Sequence, residues 1–431
     1  MTSISMPKGG GRTARAALAA LALALSGAAA AAVHTLAPGA DLAQAVAAAQ
    51  DGDVLRLSPG AYAGGIVIDK PLTLEGPADR SAVIAGTRQG RTVWIKAADV
   101  SLRSLTVTRS GLSLSDMDAG VFLDRTAHRA RVEGNDILDN LVGVHVWGPR
   151  DALVRGNRIV GNRELRVAER GNGVTLWNTP GTRVLDNDIS AGRDGIFVNT
   201  SRLNTFSGNR FHDLRYAVHY MYTNESEISG NVATGTDVAY AIMFSHQLIV
   251  RDNVAVDSRE QGLMLNYANQ SRITGNSVDR AGKCVFIYNA NYNEFQDNRF
   301  ANCDIGVHFT AGSEGNQVSG NAFINNRNQV KYVSTRTLDW SVAGRGNYWS
   351  DNTAFDLDGD GIADTAYRPN DVVDQLLWRA PAARILLNSP SIAIVRWAQS
   401  QFPAILPGGV IDSAPLMQPP PLPARLPKES P

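Results

Sequence analysis

Four side chains with nitrogen or sulfur donors recur at one spacing in the middle of the chain. His219 and Met221 lie two residues apart, Met243 follows Met221 by 22 residues, and Met264 follows two repeats after His219. Imidazole and thioether groups form a soft ligand set that favours Cu(I) over Mg²⁺ or Ca²⁺. The sequence therefore predicts a copper site at these four residues. The alternative is a contact surface for another protein, because methionine and aromatic residues are enriched in interfaces.

A second candidate site lies in the acidic segment FDLDGDGIADTAY at 355–367. The carboxylates that match positions 1, 3, 5 and 9 of an EF-hand-like loop are Asp356, Asp358, Asp360 and Asp364. Gly361 occupies the turn position, but Tyr367 stands at position 12, where such loops carry a bidentate Glu. We therefore expect either a calcium site of low affinity or an Asp-Gly turn that needs no ion.

These candidate ligands must be positioned by a repeat that runs through most of the chain. A Gly-Asn or Asp-Asn pair recurs with its Asn at 135, 157, 187, 209, 231, 253, 276, 298 and 321. The spacing is 22 or 23 residues except for one of 30, which an insertion within 158–172 explains. Such a period indicates stacked units and suits a parallel β-helix better than helical repeats, which are longer. The Asn row itself is structural, since Asn tolerates left-handed turns and stacked Asn can hydrogen-bond between coils.

Each repeat carries a small residue and a short apolar run, such as GIFVN at 195 and AVHYM at 217. Side chains alternate faces along a strand, so the apolar second and fourth positions belong to the interior. The third and fifth positions then face outward, and they include the four candidate copper ligands. Coils stack about 4.8 Å apart, so these donors are expected to converge on one outer patch. His145 and His308 share the third column several coils away and are expected to be independent surface residues.

The beginning of the chain has the features of an export signal. Lys8, Arg12 and Arg15 precede an apolar run, and the Ala-x-Ala tract that follows offers cleavage sites near Ala30–Ala32. Residues 1–32 are therefore predicted to be a signal peptide, which places the mature protein outside the cytoplasm. A short amphipathic helix is expected at about 41–49, where it would cover the open end of the solenoid.

We therefore predict an all-β fold, a right-handed parallel β-helix over 33–350 that includes an N-terminal capping helix. The acidic loop follows at 351–371, and a helical C-terminal extension covers 372–403. The apolar residues of this extension exceed what a cap requires, so it is expected to dock on a membrane partner, with capping as the alternative. The Pro-rich stretch 404–431 is expected to be a disordered tail.

Composition narrows the classes of partner. The 41 basic and 41 acidic side chains balance, which removes the electrostatic case for nucleic acid. The two cysteines, Cys284 and Cys303, fall in neighbouring coils three positions out of register, so a disulfide is one expectation. The other is a free thiol at Cys284 that could bind copper.

An enzyme that modifies carbohydrate is a rival reading of such a solenoid. Lyases and epimerases need an acid and a base around a groove. The two outward columns contain no Asp, Glu, Lys or Arg over eight coils, which argues against catalysis on this face. Glu164, Arg166 and Glu169 of the insertion are the residues that could still project over a groove.

The chain resembles the NosD family of exported accessory proteins for nitrous oxide reductase maturation. The likeness is carried by GIFVNTSRLNTFSGNRFHDLRYAVHYMYTNESEISGN at 195–231, GNYWSDNTAFDLDGDGIADTAYRPND at 346–371 and LLNSPSIAIVRWAQSQFP at 386–403. It covers nearly the whole mature chain. The later two blocks are specific, because a generic β-helix would lack them.

The resemblance implies a periplasmic, non-catalytic protein that works with an ABC transporter made of a membrane subunit and a cytoplasmic ATPase. It also implies a part in assembling the copper centre of nitrous oxide reductase, with copper received from a lipoprotein chaperone. Sulfur is the alternative cargo, which would make the protein a maturation adaptor without metal. The ligand set around His219 does not come from the resemblance and rests on the column argument alone.

Overall fold

The computed structural model describes residues 31–310, 312–333, 336–370, 372–386, 389–402 and 408–421. Residues 1–30 of the predicted export signal and 422–431 of the predicted tail lie outside these ranges. The described chain winds into a solenoid whose coils each add strands to parallel sheets. The predicted all-β parallel solenoid with coils of about 22 residues is confirmed. In the part of the chain described, no helix is both long and apolar enough to cross a membrane.

The first row of strands forms a 13-stranded parallel sheet. Its strands are Val33–Leu36, Val54–Leu57, Thr73–Glu75, Ser101–Arg103, Arg131–Glu133, Leu153–Arg155, Arg183–Leu185, Thr205–Ser207, Glu227–Ser229, Ile249–Arg251, Arg272–Thr274, Glu294–Gln296 and Gln317–Ser319. The apolar centre of each strand faces the interior, as Phe206 and Ile228 illustrate with no exposed surface.

The second and third rows belong to one 23-stranded network, because Val254–Asn266 and Ser277–Tyr288 run through both. The remaining strands of the second row are Gly60–Ala63, Ala82–Ala85, Thr106–Thr108, Asp136–Asn140, Arg158–Gly161, Asp188–Ser190, Arg210–His212, Val232–Thr234, Arg299–Ala301, Ala322–Ile324 and Tyr348–Trp349. Those of the third row are Ile66–Ile68, Val93–Ile95, Ala119–Leu123, Val142–Trp147, Val174–Trp177, Asp194–Arg202, Tyr216–Asn224, Val238–Met243, Ile305–Thr310 and Asn328–Val333.

The chain bends between the second and third rows at the small residue of each repeat. A Cβ atom on Gly195 would lie 2.5 Å from the Ala217 carbonyl oxygen and 2.6 Å from Phe211, so no larger residue fits there. The bend brings the residue before it close to the third position after it, on the outer side of the solenoid. Tyr216 and His219 show this, with ring centroids 5.0 Å apart.

A ladder of asparagines runs through the interior of the solenoid from Asn135 to Asn347. Asn231 is typical: its Oδ1 accepts from the backbone N and the Nδ2 of Asn209, both at 3.0 Å. Its own Nδ2 donates to Asn253 Oδ1 at 2.9 Å and to the Phe206 carbonyl at 2.8 Å. These bonds satisfy buried polar groups at the turns, so the predicted structural role of the Asn row agrees with the contacts.

The described residues form three α-helices. Helix α1 (Leu42–Ala48) begins at Asp41, whose Oδ1 accepts from Gln44 N at 3.0 Å, and buries Leu42 and Val46 in the core. Helix α2 (Val372–Arg379) contacts helix α3 (Pro390–Gln401). The short 3₁₀ helices are Val167–Glu169 and Pro381–Leu386.

The segment after α3 differs from the predicted tail. Val410–Ile411 pairs in parallel with Leu338–Asp339 as a separate two-stranded sheet. Asp412 beside it has no exposed surface. Part of the stretch predicted as a disordered tail therefore packs on the last coil, because its backbone and the Asp412 carboxylate satisfy polar groups there. The sequence did not predict this packing because the segment carries no repeat.

Candidate functional site

The four predicted copper ligands lie on three consecutive strands of the third row, in the predicted register. Met221 pairs with Met243 on the next strand, and His219 pairs with Ala241. Ala241 pairs in turn with Met264. The three methionines are half-buried. The structure thus places one imidazole and three thioethers on one side of the sheet, and their coordination of copper stays a prediction.

His219 is not the open surface ligand that the column argument implies, because only 9% of the residue is exposed. Its ring lies against Phe197 on the preceding strand, with centroids 5.0 Å apart. Tyr216 packs edge-on against it from before the bend, at 84°. The predicted outward direction is right, but the bend folds neighbouring side chains over the imidazole.

A buried ion pair holds one edge of this imidazole. Asp194 is 2% exposed, and its Oδ2 lies 3.0 Å from His219 Nδ1. Arg215 donates through Nε to Asp194 Oδ1 at 2.9 Å and through Nη2 to Oδ2 at 2.7 Å. Burial pushes the pKa of Asp194 up, but the hydrogen bonds from His219 and Arg215 outweigh it and leave that pKa below its ordinary value. The carboxylate is therefore ionised at neutral pH.

The other ring nitrogen of His219, Nε2, is buried and makes no hydrogen bond among the described residues, as is also true of Nδ1 in His145 and His308. An unsatisfied buried polar atom costs about 1–3 kcal/mol, so native structures rarely keep one without a reason. Histidines that bind metals commonly donate the other ring N–H to a carboxylate, as the Nδ1 contact with Asp194 allows.

The other histidines of the same column, His145 and His308, are also buried or half-buried. His145 is 4% exposed against Phe122, and burial lowers its pKa to about 4. The prediction of an independent surface residue is wrong for His145, because neighbouring aromatic residues close over the column. His308 is half-buried, and burial together with the charges of Lys331 and Lys283 lowers its pKa to about 4. Both imidazoles are therefore neutral at neutral pH.

The exposed aromatic surface lies one residue beyond the fifth position of the repeat, which holds Met221, Met243 and Asn266. Tyr222, Phe244 and Tyr267 form what we call the aromatic stack, with successive ring centroids 5.1 Å apart. All three have left-handed backbones, with φ of 50°, 49° and 51°. Tyr288 meets Tyr267 edge-on at 5.9 Å. Exposed aromatic rings therefore lie next to the predicted copper ligands, at the end of the strand Tyr216–Asn224 and just after the next two strands of the third row.

The acidic loop brings three of its four predicted ligands together. Oxygens of Asp356, Asp358 and Asp360 lie within 4.8 Å of one another. Asp364 instead turns its Oδ2 toward the Leu357 amide at 2.9 Å. Tyr367 at position 12 donates to Asp351 Oδ1 at 2.8 Å, away from this group. The loop keeps the shape of a cation loop, and calcium binding stays a prediction.

A disulfide joins the two cysteines, whose Cα atoms lie 5.7 Å apart. Cys284 and Cys303 are nearly without exposed surface. Of the two outcomes left open by the sequence, the bridge is the one present, so Cys284 offers no thiolate to copper in this state.

The insertion leaves Glu164, Arg166 and Glu169, its three candidate residues for a groove, exposed. Glu169 folds back on its own turn, where its Oε2 accepts from the Arg166 amide at 3.3 Å. Leu165 packs on an outer hydrophobic cluster that includes Phe122. The insertion thus covers part of the outer face near His145.

Sequence reasoning missed Asp194, Arg215 and Tyr216. Asp194 and Tyr216 immediately precede the small residue of their repeats, and Arg215 lies one position earlier. All three stand outside the third and fifth positions, where the outward side chains were expected. A signal was present: Asp194 stands directly before Gly195 in one coil, and Tyr216 takes the paired position in the next. Reading the columns across the bend would have placed a carboxylate beside His219.

Comparison with known proteins supports the same picture. Residues 151–354 match the family model described as periplasmic copper-binding protein (NosD). The probable ABC transporter binding protein NosD of Stutzerimonas stutzeri is 41% identical over 378 residues, which cover 84% of this chain and 86% of the relative. The protein of the same name from Pseudomonas aeruginosa strain PAO1 is 39% identical and covers 84% and 88%.

Solved structures show similarity in fold alone. The Dettilon tailspike protein gp208 has a TM-score of 0.56 at 15% identity, over 70% of this chain and 69% of the tailspike. The Streptococcus pneumoniae surface protein and adhesin PfbA has a TM-score of 0.57 at 10% identity, over 68% and 94%. The two relatives at 41% and 39% identity cover most of both chains, and this chain therefore belongs to the NosD family.

Proposed function

We propose that this protein is a periplasmic, non-catalytic accessory protein that binds copper and works with an ABC transporter in assembling the copper centre of nitrous oxide reductase. Its family model is described as a periplasmic copper-binding protein, and its relatives are named as ABC transporter binding proteins. The export signal predicted at 1–32 agrees with a periplasmic location. In this scheme copper arrives from a lipoprotein chaperone and leaves toward the reductase.

The observation that carries copper binding is that His219, whose Nε2 is unpaired among the described residues, shares one side of the sheet with three methionines. Nε2 is buried without a partner, and Met221 stands two residues along the same strand, paired with Met243. Neutral nitrogen and thioether donors suit Cu(I). The Asp194 carboxylate is paired with Arg215, so its own charge is balanced and it is not a free hard ligand for a divalent ion.

The test is a competition titration with a chromophoric Cu(I) chelator under anaerobic, reducing conditions. A variant with His219→Ala and Met221→Ala together should lose the high-affinity equivalent. His212→Ala is the matched control, because His212 is half-exposed on the second row and pairs with Asp188 at 3.3 Å. Equal affinity and stoichiometry in the double variant and the wild type would reject this site and favour an adaptor without metal.

We further propose that 372–403 docks on the transporter's membrane subunit, while α1 covers the opposite end of the solenoid. The helices expose large apolar side chains, including Ile385 at 88% and Ile394 at 63%. A segment that only capped the last coil would bury such residues. The sequence of 372–403 has four charged residues, Asp374, Arg379, Arg384 and Arg396, among 32, so contact with an apolar partner fits it.

Removing the whole C-terminal region would not test docking cleanly, because Asp412 and its neighbours pack on the last coil. We therefore expect Ile385→Ser with Ile394→Ser to abolish co-purification with the transporter while leaving the thermal unfolding temperature unchanged. Leu357→Ser is the control, since Leu357 is 86% exposed in the acidic loop. Co-purification that survives the double substitution would reject the docking surface.

A further inference from the structure

We propose that Asp194 is a positioning residue for copper binding, which holds His219 in the tautomer that leaves Nε2 free. The proposal rests on the proposed function and adds residues outside the predicted ligand set. It starts from the 3.0 Å contact between Asp194 Oδ2 and His219 Nδ1. Both oxygens of Asp194 accept from Arg215, so the carboxylate has no proton to donate, and in the neutral imidazole the proton lies on Nδ1 and the lone pair on Nε2.

Arg215 fixes both neighbours of the imidazole. Its Nε and Nη2 atoms donate to the two carboxylate oxygens of Asp194, at 2.9 and 2.7 Å. The same guanidinium lies 4.2 Å from the ring centroid of Tyr216, which packs edge-on against His219. A planar bidentate group locks a carboxylate more rigidly than a single ammonium would. The ring orientation of His219 is therefore set by one guanidinium through two contacts.

A purely structural role would not require this arrangement. The solenoid also contains a buried carboxylate that is paired with arginine and not with histidine. Asp279 accepts from Arg299 at 2.8 Å and from Arg280 at 3.1 Å. His145 and His308 in the same column also leave a ring nitrogen unpaired, but at Nδ1; His219 differs because a carboxylate holds its Nδ1 and the unpaired nitrogen is Nε2. The contact with Asp194 thus prepares the opposite nitrogen for a ligand, as carboxylate–histidine pairs do at metal centres.

The test compares Asp194→Asn with Asp279→Asn, which removes a similar buried ion pair on a coil of the same sheets. Nitrogen-15 NMR of histidine-labelled protein without copper should show His219 with its proton on Nδ1 in the wild type and in Asp279→Asn. In Asp194→Asn the amide can donate to Nδ1, so the form with the proton on Nε2 should become populated. Cu(I) affinity should fall about 10- to 100-fold in Asp194→Asn and stay at the wild-type value in Asp279→Asn.

Two results would overturn the proposal: a wild-type His219 whose proton lies on Nε2, or Asp194→Asn protein that binds Cu(I) as tightly as the wild type. A fall in affinity with no change of tautomer would also reject positioning as the cause. Failure of the proposed function looks different, since it would appear as equal Cu(I) binding in wild type and in the His219 and Met221 double variant. The NMR measurement needs no copper and would still report whether Asp194 sets the ring.

Discussion

The carboxylate of Asp412 takes the place that a further asparagine would occupy beyond Asn347. Its Oδ2 accepts from the Asn347 backbone N at 2.7 Å and from Asn347 Nδ2 at 3.2 Å. Asn347 Oδ1 serves Asn321 in the same way, at 3.1 and 2.9 Å. Asp412 Oδ2 also accepts from Trp349 Nε1 at 2.8 Å. A residue 65 positions away along the chain thus ends the ladder with a polar partner.

Replacing Asp412 with Ala should therefore destabilise the last coil strongly. The change leaves two buried donors, the Asn347 backbone N and Trp349 Nε1, without an acceptor, at about 1–3 kcal/mol each. Asn347 Nδ2 keeps the carbonyls of Val318 and Trp340. We expect a loss of at least about 2 kcal/mol in the free energy of unfolding, measured with urea. Asp412→Asn keeps one oxygen at this point and should cost much less. Similar losses in both variants would show that the acceptor oxygen is not what stabilises the coil.

The charge of Asp412 predicts a pH dependence of opposite sign to that of most paired carboxylates. Burial raises its pKa, and the bonds from Trp349 and Asn347 offset this only in part. The folded-state pKa therefore lies above the unfolded value of about 3.9, so the folded state holds the proton more tightly. The stability gained is present below about pH 4 and is lost as the pH rises through the folded-state pKa.

Asp412→Asn lacks this titration. Compared with the wild type, the Asp412→Asn variant should consequently become more stable between pH 4 and pH 7. The measurement is the difference in the free energy of unfolding between the two proteins, by urea denaturation at both pH values. The comparison cancels the titration of all other groups, which the two proteins share. A difference that is constant with pH would contradict the raised pKa.

The repeat period was enough to predict the solenoid and the register of the candidate site. Because the strands stack at a fixed offset, the spacing of Met221 and Met243 in the sequence directly gives their pairing in the sheet. The burial of His219 could not be read in the same way. It depends on the bend at Gly195 and Ala217, which turns the preceding residues toward the outer face.

The end of the ladder was beyond sequence reasoning for a related reason. Asp412 lies in a segment without periodicity, and nothing in its local pattern connects it with Asn347. Only the packing of the last coil shows that a carboxylate can replace the next amide. The three aromatic residues at left-handed turns were equally hidden, because Asn and Gly are the residues expected at such positions.

The aromatic stack should contribute little to stability. Phe244 has φ of 49°, and the left-handed backbone costs a residue with a side chain about 1–2 kcal/mol. Its two ring pairs, with Tyr222 and Tyr267, recover about 0.5–1.5 kcal/mol each. Asn178 and Asn289 hold equivalent left-handed turns in other coils, so Phe244→Asn should change the free energy of unfolding by less than about 1 kcal/mol.

The matched comparison for the stack is Phe206→Ala in the core, where no surface is exposed. That substitution should cost about 3–5 kcal/mol, measured by the same urea titration. A cost for Phe244→Asn near that of Phe206→Ala would mean that the stack is part of what holds the coils together.

The disulfide should act on stability and not on copper. It closes a loop with a sequence separation of 19 residues, and removing such a bridge costs about 3 kcal/mol. Protein with Cys284→Ala and Cys303→Ala should therefore unfold at lower urea concentration. Its Cu(I) stoichiometry and affinity should equal those of the wild type. If this double variant bound one copper equivalent less than the wild type, the two cysteines would have to be counted as copper ligands.

Calcium should bind the acidic loop weakly and stabilise the protein only at high concentration. Three carboxylates converge there, but position 12 of the loop is Tyr367 and not a bidentate Glu. The Tyr367 hydroxyl donates to Asp351 and offers no ligand to this group. A dissociation constant near 1 mM would give about 1.4 kcal/mol at 10 mM Ca²⁺, visible as a rise in the unfolding temperature. Asp358→Asn should remove this rise, whereas Asp51→Asn at an exposed turn should keep it. An equal rise with Mg²⁺, or one that persists in Asp358→Asn, would assign the segment to a turn that needs no ion.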